Sequence, residues 1–106
     1  MKIPQAISAY IEAANSGDGA TAAACFSEDA LVHDENADHR GRQAIRQWVE
    51  ETAGKYHFQL EPLAARESGG QIVVTCRVSG EFPGSPVDLD FAFTLVDDAI
   101  ASLHIE

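Results

Sequence analysis

Basic residues are scarce in this chain: Lys and Arg number 7 against 17 Asp and Glu, a formal net charge of −10. Such a surface repels phosphate backbones and anionic lipid headgroups, and the few cations are scattered. No nucleic-acid or membrane partner is therefore expected. Cysteine is also rare. Cys25 and Cys76 sit in apolar runs, with no Cys-x-x-Cys and no Cys/His metal spacing, so the expectation is two buried free thiols; a disulfide requires their β-carbons to meet. No hydrophobic run reaches membrane-spanning length. The opening Lys2-Ile3-Pro4 leads into an amphipathic pattern rather than the apolar core of a signal peptide, which makes a cytoplasmic setting the default.

What is present is enough for one domain. The length of 106 residues fits a single folding unit over 1–106, and 45% hydrophobic residues supply its core. The first half has helical period. Ile3, Ile7, Tyr10, Ile11 and Ala14 share one face of a helix over 4–15, with Pro4 in the first turn and Gly17 as a left-handed stop. Asp18 caps a second short helix running to about Phe26. Residues 30–35 read as a strand, with Ala30, Val32 and Asp34 on one face and Leu31, His33 and Glu35 on the other. A polar loop over 36–41 leads to a third helix at 42–53, buried through Ala44, Ile45, Trp48 and Val49 and ended by Gly54.

From there the period changes to two. Strands are predicted at 56–67, 71–82, 87–96 and 99–105, with turns at Ser68-Gly69-Gly70, Pro83-Gly84-Ser85-Pro86 and Asp97-Asp98. One face carries Tyr56, Phe58 and Leu60, then Ile72, Val74, Cys76 and Val78, then Val87, Leu89, Phe91 and Phe93. Ala101, Leu103 and Ile105 join from the last strand. The other face is polar, with His57, Thr75, Arg77, Asp88, Asp90 and His104. Three helices followed by an antiparallel meander, apolar on one side, make an α+β domain.

Several segments resemble the nuclear transport factor 2-like superfamily. Ala6–Asp18 is similar to its first helix. Phe26-Ser27-Glu28-Asp29-Ala30-Leu31-Val32-His33-Asp34 resembles its F-x-x-D-A-x-x-x-D strand entry, and Gly41-Arg42-Gln43-Ala44-Ile45-Arg46-Gln47-Trp48 its G-x-x-A-I-x-x-W third helix. The nearest group in kind is SnoaL-like and ketosteroid-isomerase-like. The resemblance implies a cystatin-like cone, in which the three helices pack on a curved antiparallel sheet and enclose a pocket for an apolar small molecule. It also implies a homodimer through the outer sheet face.

Carried over residue by residue, the isomerase pattern puts its oxygen-facing tyrosine at Tyr10 and its carboxylate base at Asp34. Proton abstraction beside a carbonyl needs both a base over the carbon and a donor at the oxygen. No cofactor is implied. Phe26, Val32, Trp48, Phe58, Phe91 and Leu103 are the candidate ligand contacts. The chain departs from the pattern at a late strand, where Phe91 occupies or adjoins the site of the isomerase's second, protonated acid. Limonene-epoxide-hydrolase-like relatives use an Asp-Arg-Asp set, but Arg77, Asp88 and Asp90 all alternate to the outer face. Tyr10 on its apolar stripe also fits a core tyrosine, and Asp34 beside a polar loop also fits a turn cap. His33 and His39 flank Asp34, yet His33 alternates away from it, so no metal centre is expected. The open alternatives to an enzyme are a non-catalytic ligand-binding domain and a dimerising interaction module.

Overall fold

A computed structural model describes residues 2–106. Helices α1 (Gln5–Asn15) and α2 (Gly19–Ala24) precede strands β1 (Phe26–Asp34) and β2 (Ala37–Arg40). Helix α3 (Arg42–Tyr56) leads into β3 (Gln59–Ser68), β4 (Gln71–Ser79), β5 (Val87–Val96) and β6 (Ala99–Ile105). The strands form one sheet in the order β2-β1-β6-β5-β4-β3, with the helices on its apolar side. Among the described residues no helix is long and apolar enough to cross a membrane.

The helix ends follow the local chemistry. Gly17 adopts φ 69°, and the amides of Gly17 and Asp18 return to the carbonyls of Ala14 and Ala13, closing α1 in a Schellman arrangement. Asp18 then caps α2 by accepting from the Thr21 amide at 3.1 Å and its hydroxyl at 2.6 Å. The end of α1 is also tied to the sheet. Asn15 accepts from the Leu60 amide at 2.7 Å and donates to the Leu60 carbonyl at 3.0 Å, as a neighbouring strand would.

Several boundaries differ from the sequence reading. The second helix stops at Ala24, and Phe26 opens a strand that starts earlier than residue 30. The expected loop over 36–41 contains β2, which pairs antiparallel with β1. Glu35 and Asn36, at φ 52° and 60°, form the left-handed two-residue turn that suits strand twist, although neither is glycine. The third helix runs through Gly54 to Tyr56, where His57 stops it at φ 49°. A glycine inside a helix costs about 1 kcal/mol. Here the continuation is held by Tyr56, whose ring packs edge-on against Phe82 and whose hydroxyl bonds Glu35. The strand expected from residue 56 begins at Gln59, and the one expected to reach 82 ends at Ser79.

The sheet is not a pure antiparallel meander either. β1 lies parallel to β6, so an early strand is paired with the last one. A bulge at Ala101 in β6, opposite Thr94 and Leu95 of β5, brings Ile100, rather than Ala101, into the core. That core joins Ile7, Tyr10, Phe26, Ile45, Phe93 and Leu103, all nearly inaccessible; burying each large apolar side chain contributes about 1.5–3 kcal/mol. Both cysteines are free. Cys76 is buried, which pushes its thiol up to about 11, whereas Cys25 is only half-buried, contrary to the expectation of two buried thiols.

Candidate functional site

A cavity of about 330 Å³ opens between α1, α3 and the concave face of the sheet. This is the lower end of the range for small-molecule sites. Its apolar wall comes from alternate residues of the strands: Leu60 from β3, Val78 from β4, Val87, Leu89 and Phe91 from β5, and Ile105 from β6. The period-two pattern in the sequence had placed all of these on one face.

Tyr10 forms the inner end. It is 2% exposed, wedged edge-on against Phe26 at 5.5 Å and Phe93 at 5.9 Å, and parallel to Trp48 at 6.5 Å. Its hydroxyl has no hydrogen-bond partner among the described residues, yet no fully inaccessible polar atom there lacks one. The oxygen therefore opens onto the cavity that Tyr10 lines. Burial, reinforced by the nearby Asp34 charge, pushes the phenol far above its ordinary value. Tyr10 is thus held protonated, as a hydrogen-bond donor.

Asp34 stands at the end of β1, half-buried, and lines the same cavity. The Trp48 indole N–H donates to its Oδ2 at 3.1 Å. Burial raises the Asp34 carboxyl above the ordinary range; the Trp48 bond pulls it partly back, and the Glu35 charge pushes it up again. The result is a stronger base than a solvated aspartate, held in one orientation by an aromatic side chain. Trp48 is fixed in turn, with Tyr10 stacked on it and the His39 ring 5.8 Å away. Tyr10, Trp48 and Asp34 form one contiguous array.

Of the candidate ligand contacts, Trp48, Phe58 and Phe91 line the cavity. Phe26, Val32 and Leu103 do not: they are 0–1% exposed and belong to the core behind the wall. Alternation marks the correct face of a strand but not the depth along it, and these three lie toward the closed end. Glu35, Phe82 and Pro83 also line the cavity and were not anticipated there, and Tyr56, expected on the apolar sheet face, lines it from the end of α3. Strand alternation had sent Glu35 to the opposite face from Asp34; its left-handed backbone breaks that alternation. Glu35 Oε1 accepts a bond from the Tyr56 hydroxyl at 3.1 Å.

The remaining ionisable candidates lie elsewhere. Arg77 pairs with Asp88 at 3.1 Å, and Asp90 accepts from Thr75 at 2.6 Å and meets Arg66 at 3.5 Å, all on the convex side. They supply no Asp-Arg-Asp set to the cavity. His33 bonds Asp38 at 2.6 Å and stacks on His104. Among the described residues, no group of His, Cys, Asp and Glu could hold a metal ion.

A family model for the SnoaL-like domain matches residues 7–103. The chain is 36% identical to a protein from Sinorhizobium meliloti provisionally described as a polyketide cyclase; the match covers 98% of this chain and 95% of that one, with a TM-score of 0.93. A protein from Catenulispora acidiphila with a ketosteroid-isomerase-like fold, solved with trimethylamine, shares 18% identity over 99% of this chain and 86% of its own (TM-score 0.84). A cystatin-fold protein from Novosphingobium aromaticivorans shares 17% over 96% and 95%, with a TM-score of 0.79. The last two are likenesses of fold, which is the cystatin-like cone the family resemblance implied. Among curated proteins no match was found.

Proposed function

This chain belongs to the SnoaL-like domain family, and on that premise we propose that its cavity carries out cofactor-independent proton transfer beside a carbonyl, of the isomerase or cyclase type, on a small substrate with an apolar body. One observation carries the reading: Tyr10 and Asp34 line the same apolar cavity, with Trp48 bonded to the acid and stacked on the phenol.

Asp34 takes a proton from the carbon next to the carbonyl. The C–H electron pair moves into the adjacent carbon–carbon bond, and the carbonyl π pair moves onto oxygen. Tyr10 donates to that oxygen as its charge grows, and its raised pKa keeps the phenol from surrendering the proton outright. Return of the proton to a more distant carbon gives isomerisation; attack of the enolate carbon on a second carbonyl gives ring closure. Phe91 lines the cavity at or near the position where the isomerase pattern has a second acid, so Tyr10 bears the oxyanion without that partner.

The test is the absorbance of double-bond migration in a β,γ-unsaturated cyclic ketone. Asp34→Asn should lower the rate by about 10²–10⁴ and Tyr10→Phe by about 10²–10³, with the fold intact by circular dichroism. A wild-type rate in folded Asp34→Asn refutes the mechanism. Alongside it we propose the homodimer through the polar convex face; a strict monomer by light scattering at high concentration counts against that assembly.

A further inference from the structure

The charge lining the cavity is of one sign. Asp34 and Glu35 both line it, and no Lys, Arg or His does among the described residues. His39 packs against Trp48, and Lys55 sits 5.0 Å over the Tyr56 ring; neither lines the cavity. The rest of the protein reinforces the sign, at a net charge of −10.

The polar and aromatic groups are arranged along the cavity's length. Glu35 is exposed at the rim, bonded through one oxygen to Tyr56, and a carboxylate has further acceptor sites to offer. Tyr56, Phe58, Phe82 and Phe91 surround the space between the rim and the half-buried Asp34. Phe91 lines the cavity and has the Phe93 ring beside it at 6.4 Å. The inner end is Tyr10, a residue 2% exposed whose hydroxyl opens onto the cavity. Ring faces carry negative potential and attract ammonium groups, most strongly where water is partly excluded. A phenol that opens onto the cavity can donate to an acceptor oxygen of a ligand held there.

We propose that the cavity selects a small organic cation: an ammonium group held at the rim by Glu35 and the surrounding rings, on an apolar body whose oxygen reaches Tyr10. The inference rests on the preceding reading of this cavity as the reaction site and specifies its substrate class. Anions are rejected by the two carboxylates, and a neutral body of equal shape forgoes both the Coulomb and the cation–π attraction.

Three probes of nearly the same shape separate the possibilities: 3-hydroxyphenyltrimethylammonium, its neutral isostere 3-tert-butylphenol, and anionic 3-hydroxybenzenesulfonate. Binding is read from the fluorescence and indole N–H resonance of Trp48, the single tryptophan. The cation should bind about ten-fold more tightly than the isostere, and the sulfonate should not bind. In Glu35→Gln the cation's advantage should shrink several-fold while 3-tert-butylphenol binds as before, which also shows the variant is folded. If 3-tert-butylphenol binds as well as the cation or better, the cation inference is overturned and the carbonyl site stands. If none of the three perturbs Trp48, both fail.

Discussion

Replacing Trp48 with Phe keeps an aromatic ring beside Tyr10 but removes the N–H that donates to Asp34 Oδ2 at 3.1 Å. A hydrogen bond to a charged group is worth about 1.5–3 kcal/mol in mutational series, and partial exposure of the carboxylate reduces that to about 1–2 kcal/mol here. The lost bond favours only the ionised form, so its removal raises the pKa. At 1.36 kcal/mol per unit, the midpoint should rise by about one pH unit. The burial and the Glu35 charge that already push Asp34 upward remain in the variant, so the change adds to them. The assay is a pH titration of the Asp34 side-chain carboxyl carbon by NMR in both proteins, which needs no substrate. The acid limb of any proton-transfer activity should move in the same direction. An Asp34 midpoint that stays put or falls in a folded Trp48→Phe protein would show that the indole does not hold the carboxylate, and the array of Tyr10, Trp48 and Asp34 would lose its central link.

Asp34→Asn should make the fold at least as stable as wild type at pH 7. The native carboxyl is raised above its unfolded value, so the stability it confers is complete only below the unfolded pKa and is lost as pH rises through the folded pKa. Thermal melts of the two proteins should converge near pH 3 and separate toward neutrality; a variant clearly less stable at pH 7 contradicts the burial of a charged Asp34. Asn15→Ala removes both bonds to Leu60 and leaves a half-buried amide and carbonyl unpaired, a loss of about 2–4 kcal/mol measurable by urea unfolding. A loss below about 0.5 kcal/mol would mean the tie between α1 and β3 is ornamental. Gly80→Ala would place a methyl 2.7 Å from the Tyr56 carbonyl and 3.1 Å from the Phe58 α-carbon. It should cost about 1–3 kcal/mol by the same measurement, and it should weaken probe binding because both neighbours line the cavity.

Much of this architecture was legible because the hydrophobic period is regular where the structure is regular. The stripe of Ile7, Tyr10, Ile11 and Ala14 is the buried face of α1, and Val74, Cys76 and Val78 face inward as alternation requires. The family resemblance put its tyrosine and its carboxylate at Tyr10 and Asp34, and both line one cavity. The misses fall where the backbone leaves its repeat. The turn at Glu35 and Asn36 hid both β2 and the cavity role of Glu35, because a left-handed Glu-Asn pair carries no strong sequence signal. The bulge at Ala101 in β6 exchanged Ile100 for Ala101 on the core face. Tyr56 was placed on a strand because its neighbours alternate, yet contacts with Phe82 and Glu35, distant in sequence, keep it helical. The parallel pairing of β1 with β6 has no local signature at all.

That pairing has a consequence for how the molecule comes together. β3, β4, β5 and β6 follow one another as antiparallel neighbours and can assemble as hairpins, but β1 meets them only through β6. Until β1 docks on β6, Asp34 and Glu35 have no wall opposite them, and the cavity that Tyr10 lines is incomplete. Closure therefore joins segments far apart along the chain, a demand that slows folding as contact order rises. Completion of the cavity and completion of the sheet then become a single kinetic event, so an intermediate with native helices and hairpins should still bind no ligand.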